Sequence, residues 1–247
     1  MDELIYEVFE ALPRQGPGDA QSTRRALELM ANLPGKPDIL DVGCGVGMHT
    51  LELTKLTDGT LTALDNHQPF LDTLRTNADK QDLSAEVRCV HGDMSALNFE
   101  SESFDAIWSE GAIYIIGFEK GLQEWKKYLR PQGYVAVTEV TWLKENPPGE
   151  LQKFWEEEYP AINDIDSNLQ IIDACGYHLI DRFVLPESAW WDDYYRPLEE
   201  RIKLTRDNYG DDQQARAFFD ALESEIDMYR TYSDYYGYIF YIMQRKD

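Results

Sequence analysis

Residues 39–47 read Ile-Leu-Asp-Val-Gly-Cys-Gly-Val-Gly, and no other stretch limits the fold as tightly. An aliphatic run suited to a short buried strand ends near an acid and passes into three glycines at alternate positions. The continuation MHTLELTKL reads as a helix. Gly43, Gly45 and Gly47 let the backbone turn sharply and approach a ligand with no Cβ in the way. The helix N-terminus beyond them favours a carboxylate or phosphate. A dinucleotide-binding turn would carry G-x-G-x-x-G. Here the spacing is G-x-G-x-G, with Asp41 just ahead of it.

The surrounding chain alternates in the same sense. The strand-like runs ILDVG, LTALDN, EVRCVHGD, FDAIWSEG and YVAVTEVTW are separated by helical ones, including FLDTLRTNADKQ and GFEKGLQEWKKYL. Upstream, Ser22 or Thr23 is expected to cap a helix through Asn32, with Ala26, Leu27, Met30 and Leu33 at helical spacing. Such alternation implies right-handed βαβ units and a mostly parallel sheet. After Trp142 the acidic, aromatic segment NPPGELQKFWEEEYPAINDID reads as a helical insertion. LQIIDACGYHLIDRFVLP supplies a helix and a sixth strand, residues 189–232 are mostly helical, and YGYIFYIMQRK forms a seventh strand. The expected fold is α/β: a Rossmann-like, seven-stranded, mostly parallel sheet with helices on both faces and a helical cap from C-terminal insertions. One domain is expected over 1–247, with N-terminal helices and a lid at 1–35, a ligand-binding core at 36–142, and the last strands and cap at 143–247.

Composition narrows the function. A formal net charge of −23 opposes a nucleic-acid partner, whose binders present a basic face, and no basic cluster is larger than a pair such as Arg24-Arg25 or Lys126-Lys127. Cys44, Cys89 and Cys175 are widely spaced and four histidines are scattered, so neither a disulfide framework nor a metal site is expected. No run approaches the ~20 apolar residues of a membrane span, and the acidic N-terminus has no leader-like apolar stretch. A cytoplasmic protein is the expectation. The aromatics of the C-terminal part allow a homodimer, and cap packing explains them equally.

On these motifs the chain resembles the class I S-adenosylmethionine-dependent methyltransferases. LDVGCGVG is similar to the family's first motif, LTALDN to its second-strand acid, and Gly92-Asp93-Met94 to the turn after its third strand. FDAIWSEGAIYIIGF and YLRPQGYVAVTE are similar to its fourth- and fifth-strand segments. The resemblance covers residues 36–142 and implies S-adenosyl-L-methionine as cofactor, S-adenosyl-L-homocysteine as product, and no metal. It implies Asp41 near the methionine end, room for that end at Gly43, Gly45 and Gly47, and Asp65 on the ribose hydroxyls with Asn66 beside it. It also implies Gly92, Asp93 and Met94 on the adenine edge, with Ser109 near the cofactor. Arg14-Gln15-Gly16-Pro17-Gly18 and the C-terminal strand are similar to an uncharacterised bacterial and archaeal methyltransferase-like group. In that segment Gln15 and Gly18 belong to a lid over the cofactor, or to a tight turn alone.

Residues after the fourth strand then face the methyl group, at the carboxyl ends of the strands where open α/β sheets bind ligands. Glu110 is the candidate base for a protonated acceptor, or a carboxylate that only hydrogen-bonds its surroundings. Tyr114 either positions the acceptor or packs. Trp142, Trp191, Tyr194 and Tyr195, with Trp155 and Trp190, are candidate acceptor contacts, since aromatic faces beside carboxylates attract cations. They are equally candidates for cap packing. The expected activity is in-line methyl transfer to a small-molecule acceptor. The alternatives are a non-catalytic S-adenosylmethionine-binding protein, a macromolecular methyltransferase and, more remotely, a nicotinamide-dependent oxidoreductase.

Overall fold

The computed structural model describes residues 2–247; Met1, counted in the expected domain, lies outside the described residues. Helix α1 (Asp2–Phe9) and α2 (Ala20–Glu28) precede β1 (Asp38–Val42), α3 (Met48–Leu56), β2 (Thr60–Asp65), α4 (Gln68–Lys80) and β3 (Val87–His91). β4 (Phe104–Ser109), α5 (Phe118–Trp125) and β5 (Leu129–Trp142) complete the core. Then come α6 (Gly149–Glu158), the two-residue β6 (Asn163–Asp164), α7 (Ile165–Ala174), β7 (Tyr177–Val184), α8 (Glu187–Trp190), α9 (Arg196–Arg206), α10 (Gln213–Tyr232) and β8 (Tyr236–Arg245).

The sheet runs β3-β2-β1-β4-β5-β8-β7, with β6 paired to the end of β5. All pairs are parallel except those of β8, which slots antiparallel between β5 and β7. The seven expected strands are therefore present, with the short β6 as an addition. Strand alternation divides the core between the two faces. Leu40, Val42, Ile107, Val135 and Val137 face α5 and α7. Ile39, Ala106, Trp108 and Ala136 face α2 and α8. In α5 the buried residues Phe118, Gly121, Leu122 and Trp125 recur at i, i+3, i+4 and i+7, one apolar stripe laid on the sheet.

Three local departures have physical causes. Asp19, rather than Ser22 or Thr23, caps α2: its carboxylate accepts from Ser22 N–H at 2.8 Å, while Thr23 Oγ1 is turned inward to a carboxylate. The fifth strand, read from the sequence as YVAVTEVTW, begins five residues earlier at Leu129, and Pro131-Gln132-Gly133 forms a kink within it, with Gln132 at φ 59° and a register shift against β4. Trp191–Tyr195 forms a π turn that joins α8 to α9 in one irregular helix. The cap gathers both ends of the chain. Leu4 and Val8 of α1 pack with Trp190, Leu198, Phe219 and Tyr229 of the C-terminal helices.

Chain order sends β2 and β3 to one side of β1 and β4 to the other, which makes the β1/β4 boundary the switch point of the sheet. The loops after β1, β2 and β4 open there. Among the described residues no helix is long and apolar enough to cross a membrane.

Candidate active site

These loops surround a cavity of about 470 Å³ at the switch point. Its floor is the glycine turn, with Gly43, Gly45 and Gly47 at φ 76°, 53° and 80°. All three are also crowded, Gly47 by the Leu74 side chain. A Cβ on Gly43 would stand 2.5 Å from the Cβ of Ala112, a stub that cannot rotate away. A Cβ on Gly45 would fall on Gln15 Oε1. Gln15 reaches over the turn from the N-terminal segment: Oε1 accepts from Val46 N–H at 2.9 Å and Nε2 donates to Phe9 O at 3.1 Å.

Around the wall, Asp65 ends β2 with its two oxygens accepting from Gly45 N–H and His67 N–H, each at 2.9 Å. Each carboxylate oxygen retains acceptor capacity for a ligand. Burial pushes the Asp65 carboxyl up, and the two backbone donors pull it part of the way back. Asn66, Gly92, Asp93 and Met94 line the same cavity. Asp93 Oδ1 is taken by Ser95, whose hydroxyl and N–H hold the carboxyl below its ordinary range. The Met94 carbonyl is fixed by Trp125 Nε1–H at 3.1 Å.

Beneath the cavity lies a buried cluster of charges. Arg14 Nη2 donates to Glu110 Oε2 at 2.7 Å, with side chains 5% and 1% exposed. Glu110 Oε1 accepts from Thr23 Oγ1 at 2.7 Å and Trp108 Nε1 at 2.9 Å. Burial alone would raise the Glu110 carboxyl; His49, Arg14 and these hydrogen bonds outweigh it and hold the group below its ordinary value. His49 Nε2 lies 3.0 Å from Asp41 Oδ1, and Thr50 Oγ1 donates to Asp41 Oδ2 at 2.5 Å. Burial opposes protonation of His49, but the carboxylates of Asp41 and Glu110 prevail and raise it.

Several expected site residues therefore have other duties. Asp41 does not line the cavity: it is fully buried with both oxygens engaged by α3. Ser109 is also fully buried, its hydroxyl donating to Val42 O at 2.8 Å. Gly18 lies outside the cavity lining, donating its N–H to Ala189 O at 3.0 Å, and a Cβ there would strike the Arg14 guanidinium. Glu110 borders the cavity, but a carboxylate with both oxygens engaged and a lowered pKa is an anchor for Arg14 rather than a base. Arg14 and His49 were not foreseen. Arg14 carried only a segment resemblance, and nothing in the sequence points His49 inward.

A second cavity of about 320 Å³ lies under the cap, and Gln15, Gly16, Gly111 and Tyr114 line both. Trp155, Tyr159, Trp190 and Tyr194 form aromatic walls, with Glu158 and Glu225 among the lining residues. Of the six cap aromatics expected as acceptor contacts, Trp155, Trp190 and Tyr194 are here. Trp142 instead lines a groove with Lys144, Asp164 and Arg182. Trp191 packs on Tyr195 beneath the Arg230 guanidinium, 5.1 Å from its ring centre. Tyr195 is fully buried and donates its hydroxyl to Glu225 Oε1 at 3.0 Å. Tyr114 stands where the cavities meet, its ring edge-on to Tyr159 at 5.9 Å.

Glu139, 2% exposed, sits behind Tyr159 and accepts its hydroxyl at 2.7 Å. Burial pushes the Glu139 carboxyl up to about 8 and that of Glu225 up to about 7. Folded-state values above the unfolded ones stabilise the protein below about pH 4.5 and withdraw that stability as pH rises through about 8. Glu139→Gln is therefore expected to raise the thermal midpoint at about pH 9 while changing it little at about pH 5. Melting curves at the two pH values check this; a midpoint lowered equally at both would contradict it. Glu225 titrates in the same direction, so some slope remains in the variant.

Comparison with known proteins agrees with this geometry. Residues 39–133 match a family described as "Methyltransferase domain". Sterol 24-C-methyltransferase of Candida albicans is 33% identical over 129 residues, 51% of this chain and 34% of that enzyme. The chain thus spans about a third of that relative's length. An uncharacterised methyltransferase of Bacillus subtilis is 24% identical over 228 residues, 92% of this chain and 91% of its own. A solved S-adenosylmethionine-dependent methyltransferase of Geobacter sulfurreducens, in complex with S-adenosyl-L-homocysteine, superposes with a TM-score of 0.83 at 18% identity, covering 100% of this chain and 99% of that one. With its glycine turn, strand-end acids and switch-point cavity all inside or beside the matched segment, the chain carries a methyltransferase domain over residues 39–133 and shares the fold of solved S-adenosylmethionine-dependent methyltransferases.

Proposed function

We propose that this protein transfers a methyl group from S-adenosylmethionine to a small-molecule acceptor, with the cofactor in the first cavity and the acceptor in the second. The observation that carries the reading is that two adjoining cavities share Gln15, Gly16, Gly111 and Tyr114 in their walls. One opens on the glycine turn and strand-end acids, the other on the aromatic cap.

The residues of the first cavity fit the cofactor. Asp65 has acceptor capacity for a cis-diol, and a charged acceptor roughly doubles the strength of such bonds. Asp93 Oδ2 is open for an amino group. Arg14 Nε is buried without a partner among the described residues and belongs to a side chain on the cavity wall, a fit for the carboxylate of a methionyl group. Bound there, S-adenosylmethionine supplies an electrophilic methyl group on a sulfonium sulfur. The chain's own residues supply alignment and dryness, which is most of what an in-line displacement asks of an enzyme. Gln15, tied to Val46, closes the turn from above, and Gly16 and Gly111, backbone against backbone, put no side chain on the boundary the cavities share. Tyr114 lines both cavities at that boundary and sets the approach of the acceptor. Glu110 keeps Arg14 in place.

The size of the second cavity and the relatives named for sterol methylation both support a small acceptor. Three unpaired thiols, two of them buried, support a reducing, cytoplasmic setting. The test is incubation with S-adenosylmethionine labelled in its methyl group and a cell extract separated into dialysable and macromolecular fractions. Label in a dialysable product, greatly slowed by Tyr114→Ala, is expected. Label confined to protein or RNA, or none at all, would refute the reading.

A further inference from the structure

The second cavity has a chemical character of its own. Its walls are rings: Trp155 and Tyr159 at the end of α6, Trp190 and Tyr194 on either side of the start of the π turn, Phe218 from α10 and Tyr238 from β8. Trp190 is stacked on Tyr229 at 4.1 Å and tilted against Tyr238 at 4.9 Å, so the wall is braced from behind. Among the described residues no lysine, arginine or histidine lines this cavity, and its two charged lining residues, Glu158 and Glu225, are both acidic. Glu139 adds a third carboxylate one side chain away, through Tyr159. None of the three has an ion-pair partner among the described residues, although arginines and lysines pair with many other acids of this chain.

A carboxylate buried without a counter-ion, as Glu139 is, is costly because a low-dielectric surrounding penalises the charge; Glu225 is half-buried and Glu158 lies at the exposed rim. Glu139 Oε2 has no hydrogen-bond partner, and neither does the indole nitrogen of Trp190, which is 3% exposed. A purely structural cap would fill this space with aliphatic side chains and leave no polar atom unpaired. A neutral hydrocarbon acceptor would use the rings but not the carboxylates. An anion would be repelled by both the carboxylates and the ring faces. An organic cation uses each: ring faces attract it, most strongly where water is excluded, and the carboxylates supply the opposite charge.

We propose that the cavity lined by Trp155, Tyr159, Trp190 and Tyr194 binds an acceptor that carries an organic cation, an ammonium group held against the rings and facing Glu225. This rests on the reading of the second cavity as the acceptor site, and it assigns the substrate class there. The raised carboxyls of Glu225 and Glu139 accord with it, since an incoming cation would return them to the ionised form.

The probe is benzyltrimethylammonium, set against neopentylbenzene, which has the same shape with carbon in place of nitrogen. Both are titrated into the full-length protein, with the fluorescence of Trp155 and Trp190 as readout. The ammonium is expected to bind at least about tenfold more tightly than its neutral isostere, and Glu225→Gln to remove most of that preference. Should Glu225→Gln fail to fold, Glu158→Gln, at an exposed position, is expected to reduce the same preference. Equal or tighter binding of the isostere, no binding of the ammonium, or a preference untouched by the substitutions would overturn the inference. S-adenosylhomocysteine titrated into the same wild-type sample separates the two readings. If it binds while the ammonium shows no preference, only the substrate class falls; if it does not bind, the cofactor site falls.

Discussion

Glu110→Ala is expected to lower the unfolding free energy by about 3–5 kcal/mol, the range for removing one partner of a buried ion pair. The wild-type side chain is 1% exposed and receives Arg14, Thr23 and Trp108, so the substitution takes this acceptor from Arg14 and Trp108, while Thr23 keeps Asp19 O at 3.2 Å. The costlier loss is at Arg14, a permanent cation with its side chain 5% exposed. Because Arg14 precedes Gln15, which closes the glycine turn, cofactor affinity should fall along with stability. The pH dependence has a definite sign. A folded-state pKa held below the unfolded 4.5 contributes stability above that pH and loses it as pH falls through the lowered value. Wild type should accordingly lose more stability on acidification than the variant. Urea unfolding near neutral and acid pH measures both effects. A loss under about 1 kcal/mol would mean that Arg14 escapes to solvent and is no anchor.

Asp65→Ala is expected to cost cofactor affinity by about 1–3 kcal/mol, roughly ten- to a hundredfold, through loss of a charged hydrogen-bond acceptor. Two contributions combine. The ribose would lose its acceptor, and Gly45 N–H and His67 N–H would lose the carboxylate that shapes the turn. Asp65→Asn separates them, because it retains one acceptor oxygen at nearly the same shape. An intermediate loss is expected for Asn, with stability close to wild type. Calorimetric titration of both variants with S-adenosylhomocysteine checks the order.

The lining of the switch-point cavity was legible because its residues are fixed by their own neighbourhood. A strand followed by glycines at alternate positions admits few backbones, and Asp65 and Asp93 sit at or just past strand ends that the parallel sheet brings together. What the sequence left open depended on side-chain partners carried by other elements. Whether Asp41 faced a ligand or the core turned on His49 and Thr50, one and two residues into the next helix. Ser109 was lost to the cavity because β4 lies beside β1, where Val42 O takes its hydroxyl. Glu110 changed roles because Arg14, 96 residues away, arrived at its carboxylate. The cap aromatics show a different limit. Helical spacing alone cannot choose between Trp190 and Trp191, and the π turn at Trp191–Tyr195 decides which rings border the cavity. The long β8 was readable as a strand, but its antiparallel place between β5 and β7 is a tertiary fact.

The measurement that bears most directly on the account is calorimetric titration of the wild-type protein with S-adenosylhomocysteine, the ligand that occupies the site without turnover. Saturable one-to-one binding in the micromolar range is predicted, weakened at least about tenfold by Asp65→Ala in a protein that still unfolds cooperatively. Absence of binding, or binding indifferent to Asp65, would contradict the placement of the cofactor in the switch-point cavity and with it the proposed methyl transfer.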